Sequence, residues 1–493
     1  MKGFLIKPFA KFIQKQTQRL AQHAVNDQQA IFQSIVKTAT PTQFGADHKF
    51  QEIKTHADFC SRVPIRDYEA LKNYFDLVKD GGSDILWPGK PRYLAKTSGT
   101  TSGVKYIPIS NDSISNHIVT ARNALLNFTS SRKDTSIFDG KLIFLSGSPT
   151  LTTVGGISTG RLSGIVNHEI PSWVKGNQLP SYQTNCIEEW EAKLDKVIEE
   201  THNQDLRLIS GIPPWVQMYF ERLLEKTGKS SVKEVFPNLS LFVYGGVNYA
   251  PYRNTIENLI GESIDSLETY PASEGFIAFQ DTVENQGLLL NTNSGIFFEF
   301  VPASEIFDDH PTRLLLPDVE LDKDYAIIIN NNAGLWGYNI GDTVRFVSKD
   351  PYRIIVSGRI KHFISAFGEH VIAKEVEQAI TVVSKKYKLQ INEFTVAPQV
   401  NPKDGSVPYH EWFIEFDNQP VDLNKIAKEL DDEMIHQNIY YKDLIVGNIL
   451  QPLKINALTK GSFQRYMESQ GKLGGQNKVP RLSNDRNIAD KLV

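Results

Sequence analysis

Tyr93-Leu94-Ala95-Lys96-Thr97-Ser98-Gly99-Thr100-Thr101-Ser102-Gly103-Val104-Lys105-Tyr106-Ile107-Pro108-Ile109 sets two apolar, strand-like runs around residues 98–103, which are all Ser, Gly or Thr. Hydroxyls and unobstructed backbone N–H groups at that density serve no hydrophobic core, but they suit an anion such as a nucleotide phosphate. Glycine permits positive φ and close backbone approach, and Lys105 adds a compact charge six residues after Gly99. The stretch is not a Walker A loop, because Val104 occupies the second glycine position and Tyr106 follows the lysine where a Ser or Thr would ligate magnesium. A flexible linker has a similar composition. The tight apolar flanks and the single lysine speak against one here.

The 493 residues suffice for two or more domains with a core that requires no staples. A formal net charge of −4 and a pI near 6.3 give no overall attraction to nucleic acid or to an anionic membrane, so phosphate recognition must be local. Cys60 and Cys186 form no CxxC or Cys/His pattern, which excludes a disulfide framework and fits a reducing cytoplasm. The apolar Met1 to Ile13 is interrupted by Lys2, Lys7 and Lys11 at helical spacing, with no cleavage site after it. It reads as an amphipathic first helix, and the absence of about 18 consecutive apolar residues leaves no spanning segment.

Apolar spacings of three and four predict helices over residues 5–36 and 66–80. Short buried-looking strands at Leu142 to Ser146, Arg207 to Ser210, Leu239 to Tyr244 and Ile264 to Tyr270 alternate with helical segments at 186–202, 213–227 and 251–260. The pattern is α/β with a mixed, largely parallel sheet. A strand-dense region runs from Gly275 to Val356. Beyond Ser357-Gly358-Arg359 the pattern changes to helix 373–388, strands 391–399 and 409–417, helix 423–437 and a strand near 448–455. This predicts a large N-terminal domain over 1–357 and a smaller α+β domain over 358–493, with an irregular, polar tail from Gly461.

Four further stretches fall at strand ends, where open α/β sheets place their ligands. Tyr244-Gly245-Gly246-Val247 lets a planar base approach the backbone. Tyr270-Pro271-Ala272-Ser273-Glu274-Gly275 carries a carboxylate suited to Mg²⁺, which takes one or two protein carboxylates beside substrate phosphates. Tyr338-Asn339-Ile340-Gly341-Asp342 offers an acceptor for ribose hydroxyls, and Gly358-Arg359 a cation for ribose or phosphate. Taken singly, Glu274 and Asp342 read as caps or surface charges.

In this order the stretches resemble the adenylate-forming superfamily of acyl-CoA synthetases, nonribosomal adenylation domains and luciferases. Within it, the chain resembles the Gretchen Hagen three family of acyl acid-amido synthetases. That resemblance rests on Thr97 to Gly103, Val63-Pro64-Ile65 with Tyr68, Ile85-Leu86-Trp87-Pro88-Gly89, Gly245-Gly246-Val247 with Tyr249 and Pro251, Gly461-x-Phe463, and Gln476-x-Lys478-Val479-Pro480-Arg481. It implies that a small carboxylic acid attacks the α-phosphate of MgATP, and that an amine, typically of an amino acid, then displaces AMP. It further implies that Ser98, Gly99, Thr100, Thr101, Ser102, Gly103 and Lys105 hold phosphates, and that Gly245, Gly246 and Val247 line adenine. Tyr270, Ser273 and Glu274 would sit at the nucleotide and Mg²⁺, and Asp342 at ribose. Arg359 would mark a hinge about which the C-terminal domain turns. Lys478 would neutralise transition-state charge, with Lys460 the second choice and more plausibly a solvated turn lysine. The implied partners are small molecules, with no nucleic acid or membrane and a monomer favoured.

Acyl specificity is less legible. Trp215, Met218 and Tyr249, with Trp173, can wall an apolar pocket, although Trp215, Met218 and Tyr219 at helical spacing equally suit a core. Ser365-Ala366-Phe367-Gly368-Glu369 resembles the acyl-CoA ligase hinge, which keeps a thioester-forming ligase as the alternative.

Overall fold

The computed structural model describes residues 2–98, 104–170, 175–246, 249, 252–284, 286–360, 363–364, 366–369, 371–417, 422–470 and 479–493. The opening stretch forms a hairpin. Strands β1 (Tyr93–Ser98) and β2 (Val104–Ile109) pair antiparallel from Tyr93↔Ile109 to Ser98↔Val104. Ala95, Ile107 and Ile109 are buried on one face and Leu94 on the other, so apolar burial fixes both flanks. A small sheet is completed by β4 (Thr152–Val154) and β5 (Ile157–Gly160), with β5 parallel to β1.

The main sheet has eleven strands among the described residues, ordered β12-β13-β14-β15-β11-β10-β9-β8-β7-β3-β6. Its parallel section is β3 (Lys141–Phe144), β6 (Gln178–Leu179), β7 (Leu206–Ser210), β8 (Leu241–Gly245) and β9 (Asp265–Ala272). The rest is antiparallel: β10 (Gly275–Phe279), β11 (Leu288–Leu290), β12 (Ile296–Pro302), β13 (Asp324–Asn331), β14 (Tyr338–Lys349) and β15 (Tyr352–Arg359). The sheet is mixed, as expected, but its larger share is antiparallel. Two-residue links such as Ser273-Glu274 and Asp350-Pro351 are too short for a parallel crossover.

The first expected helix is two, Lys2–Gln22 and Ala24–Ala39, broken at His23. The one expected over 66–80 contracts to Lys72–Lys79, since Asp67 turns the chain by accepting from the Ala70 N–H at 3.1 Å. Trp336, fully buried, anchors the first core: Phe50 meets its ring edge-on at 4.9 Å and its indole N–H donates to Leu86 O at 3.0 Å. The Ile85-Leu86-Trp87 stretch is thereby tied to the segment just before β14, and burial of each such ring contributes about 1.5–3 kcal/mol.

The C-terminal unit contains β16 (Phe363–Ile364) paired with β17 (Val371–Ile372), and a three-stranded sheet of β18 (Ile391–Gln399), β19 (Tyr409–Phe416) and β20 (Lys454–Leu458). Helices Ala373–Tyr387 and Leu423–Gln437 pack on one another. The last strand lies later than the expected 448–455, because Ile439–Val446 forms a further helix before it. Among the described residues the tail is irregular only in part: Ser462–Ser469 is helical, with Phe463, Tyr466 and Met467 at helical spacing packed on a small core. Further on, Leu482 pairs with Val396 and the Thr395 hydroxyl donates to Pro480 O at 2.7 Å. No helix among the described residues is long and apolar enough to cross a membrane.

Candidate active site

Parallel strands β3, β7, β8 and β9 end on one edge of the sheet, at Phe144, Ser210, Gly245 and Ala272. Strands β14 and β15 bring Asp342 and Arg359 toward the β9 end, as direct cross-strand partners. Tyr270 donates its hydroxyl to Asp342 Oδ2 at 2.5 Å, and Arg359 Nε forms an ion pair with Asp342 Oδ1. Each carboxylate oxygen keeps a second lone pair, so Asp342 remains able to accept from a diol.

Glu274 occupies the tight turn between β9 and β10. Asn331 Nδ2 donates to its carbonyl at 2.8 Å, and the Tyr338 hydroxyl lies 3.4 Å from its Oε1. Burial raises the Glu274 pKa above its ordinary value, opposed chiefly by the Lys105 charge. Lys105 is shifted down, again by burial, with Glu274 opposing and Arg359 adding to the shift. Its ammonium stands 5.7 Å over the Tyr68 ring, whose hydroxyl accepts from Tyr106 N–H at 3.1 Å. Lys105, Glu274, Tyr270, Asp342 and Arg359 therefore share one electrostatic environment, four of them drawn from the four strands β2, β9, β14 and β15.

Ser98 is the last residue of β1, and Ser273 begins the turn that holds Glu274. Gly245 is required by packing, since a Cβ there would lie 2.5 Å from Thr269 O, and Gly246 adopts φ 77°. Gly99, Thr100, Thr101, Ser102, Gly103, Val247 and Lys478 lie outside the described residues, as do Trp173 and Pro251. Tyr249 is buried, 4.9 Å from the Tyr244 ring and beneath the Arg253 guanidinium. Trp215 and Met218, on the helix Pro213–Thr227, pack against the second core. Lys460 pairs with Asp417 at 2.6 Å and is three-quarters exposed, as a turn lysine would be.

Two features escape sequence reasoning. Tyr338, expected only as the start of a motif, reaches Glu274; its place two residues beyond Trp336 in a buried run is the available signal. Glu299 holds a buried network: Arg313 pairs with it at 2.6 Å, His56 Nε2 lies 2.7 Å away and Asn330 donates at 2.8 Å. His56, Cys60 and Glu299 also have cation-ligand types within reach of one another. The Arg313 guanidinium already supplies the positive charge there, so the trio reads as an ion-pair network.

The chain matches three family models: the GH3 family N-terminal domain over residues 13–185, the central domain over 289–359 and the C-terminal domain over 374–487. A jasmonoyl–L-amino acid synthetase of Nicotiana attenuata is 22% identical over 506 residues, covering 87% of this chain and 86% of the relative. An indole-3-acetic acid-amido synthetase of Arabidopsis thaliana is 24% identical over 38% of this chain and 33% of its own length. Among solved structures, the AtGH3.15 acyl acid amido synthetase in complex with 2,4-DB aligns with a TM-score of 0.63 at 15% identity, covering 98% of this chain and 95% of that one. A 2-hydroxyisobutyryl-CoA ligase aligns with a TM-score of 0.55 at 14% identity over 98% and 91%. Both share the fold.

Proposed function

Because this chain belongs to the GH3 family, we propose that it is an ATP-dependent acyl acid-amido synthetase, a ligase that activates a carboxylic acid as its acyl-adenylate and then forms an amide. The observation that carries the reading is the convergence of Lys105, Glu274, Tyr270, Asp342 and Arg359 beside the hairpin whose register closes at Ser98↔Val104.

In the first half-reaction a carboxylate oxygen of the acid attacks the α-phosphorus of ATP, the bond to the β-phosphate oxygen breaks, and pyrophosphate leaves. Ser98 to Gly103 hold the phosphates, and Lys105 adds positive charge beside Glu274. Asp342 accepts from the ribose hydroxyls while Tyr270 and Arg359 fix its orientation. Gly245 to Val247 face adenine. The donor set suits Mg²⁺, a hard cation that takes oxygen ligands: Glu274 would hold it with the phosphates, and it would offset the negative charge of the departing pyrophosphate. Lys478 stabilises charge building on the carboxylate and α-phosphate, the kind of preorganised electrostatic help that dominates phosphate chemistry. In the second half-reaction an amino-acid amine attacks the acyl carbonyl, loses its proton and expels AMP. Trp215, Met218 and Tyr249 are the proposed acyl-side residues. Exclusion of water from the adenylate by the C-terminal unit protects this intermediate.

The test is product identity with ATP, Mg²⁺ and a panel of small carboxylic acids, with and without amino acids or CoA. AMP and pyrophosphate accelerated by amino acids is the expected outcome. Acceleration by CoA alone would replace the amide ligase with a thioester-forming one, and ADP would refute adenylation.

A further inference from the structure

An amino-acid acceptor differs from a simple amine by its carboxylate, which a cation near the acyl-adenylate would recognise. Arg161 is placed for this. It follows β5, whose parallel pairing with β1 runs from Tyr93↔Ser158 to Ala95↔Gly160. Three residues beyond Ala95, β1 ends at Ser98, the start of the Ser/Gly/Thr run. The other side of Arg161 lies against Gly147: a Cβ on that glycine would meet Arg161 Cδ at 2.9 Å and Nη1 at 3.2 Å. Gly147 follows the carboxyl end of β3, two strands from β8 and its glycine pair, a separation of about 10 Å. Arg161 thus bridges the phosphate-loop strand and the ligand-bearing edge of the main sheet.

A second cation stands near Arg161. Lys193 is buried, donating from Nζ to Ser146 O at 2.8 Å and to Asn185 O at 2.9 Å. Burial first, then the Arg161 charge, pull its pKa down to about 8. The Asn185 side-chain amide is fully buried, and neither its nitrogen nor its oxygen is hydrogen-bonded among the described residues. A carboxylate already sits on the guanidinium: Asp443 Oδ2 lies 2.8 Å from Arg161 Nη2, and Tyr440 of the same helix, Ile439–Val446, stacks under it at 5.0 Å. The Arg161 and Asp443 side chains are 34% and 47% exposed, so the pair contributes at most about 1 kcal/mol and is readily exchanged.

Building on the amide-ligase reading, we propose that Arg161 is the receptor for the carboxylate of the amino-acid acceptor, and that Asp443 of the C-terminal unit fills the same position in the present arrangement. Arginine suits the task through its bidentate, permanently charged fork. Acceptor binding then exchanges an intramolecular carboxylate for the substrate's, which links acceptor capture to release of the C-terminal unit from this contact.

The full chain is assayed with whichever acid supports pyrophosphate exchange, against two nucleophiles: an equimolar mixture of the protein amino acids, and hydroxylamine, which traps the adenylate as hydroxamate but carries no carboxylate. Arg161→Gln should raise the half-saturating amino-acid concentration about thirtyfold relative to that for hydroxylamine, the loss expected for one charge-assisted contact. Arg161→Lys should recover part of it, and Asp443→Asn should lower it about threefold by removing a competitor. An unchanged ratio in Arg161→Gln overturns the proposal, as does a shift that falls instead on the KM of the acid in pyrophosphate exchange. Native protein that supports no exchange with any acid refutes the adenylation reading itself.

Discussion

Glu274 and Lys105 feel one another's charge, and their pKa values are displaced by burial, the carboxyl raised and the ammonium lowered. If Glu274 holds Mg²⁺, Glu274→Gln raises the half-saturating Mg²⁺ concentration by about tenfold or more. A metal titration that does not move reduces Glu274 to a turn residue. Because its pKa is raised, acidification removes its charge sooner than from an ordinary carboxylate. The kcat/KM for adenylation should therefore fall on the acid side at a pH above the usual carboxyl range near 4.3, and Glu274→Gln should abolish that limb. Lys478→Ala should reduce pyrophosphate exchange about 100-fold or more, the effect of deleting one preorganised charge-stabilising group. The neighbouring Val479 is buried and Arg481 packs over the Phe394 ring at 4.5 Å, so the chain on that side stays anchored and the unfolding temperature should hold. An unchanged exchange rate would remove Lys478 from the mechanism.

At the level of elements, the helix His56–Arg62 is stitched to β12 and β13 by Glu299. Burial disfavours the His56 imidazolium, but hydrogen bonds to Cys60 and Glu299, and then the Glu299 charge, outweigh it and hold its pKa up to about 9. Burial likewise opposes the Glu299 carboxylate, while Arg313 and His56 hold its pKa down to about 2. The His56 contribution to stability is complete below its unfolded pKa of about 6.5 and is lost as pH rises through about 9. That of Glu299 is complete above its unfolded pKa of about 4.5 and is lost as pH falls through about 2. Glu299→Gln, which strands Arg313, should cost about 3–5 kcal/mol in urea unfolding at neutral pH and flatten the alkaline loss. A cost below about 1 kcal/mol would show that the network is not what fixes this helix.

Local signals carried the sequence reading as far as they reach. The apolar, strand-like runs on either side of the Ser/Gly/Thr stretch predict β1 and β2 as strands, though not their pairing as a hairpin, and Tyr270, Glu274 and Asp342 stand out because each abuts a strand. Glu299 lies inside a continuous apolar run with its partners 243 and 14 residues away, so its role appears only once β12 is placed. The helix Ser462–Ser469 is hidden by its polar Gln464, Arg465 and Glu468, its packing being set by a sheet formed earlier in the chain. Arg161 and Asp443, 282 residues apart, carry no local signal at all.

Across the whole molecule, the C-terminal unit is seated on the parallel section of the main sheet. Phe367 and Val371 belong to the same buried cluster as Tyr249, Tyr252 and Ile256, and the Tyr252 hydroxyl donates to Ala366 O at 2.7 Å. Strand β15 stays paired with β14 through Gly358 and Arg359, and Ile360 N–H donates to Gly341 O at 2.9 Å. A division at 357/358 therefore falls inside a strand, and we propose a pivot beyond Ile360 in place of one at Arg359. There Glu369 is buried, accepting from Phe367 N–H at 2.8 Å and lying 2.8 Å from His410 Nε2. Between Phe367 and Glu369, Gly368 adopts φ 92°, and a Cβ on it would lie 3.3 Å from Ile212 Cδ1 on the other unit. Gly368→Ala places an L-residue in the left-handed region at a cost of about 1–2 kcal/mol and crowds the contact. If the unit turns between half-reactions, that cost falls on this arrangement and shifts its population about tenfold, since 1.36 kcal/mol is a factor of ten. Spin labels on the two units should report a broadened distance distribution, and the ratio of adenylation to amide-forming rates should move with it. A variant with native distances and a native ratio would mean that the two units work without this turn being displaced.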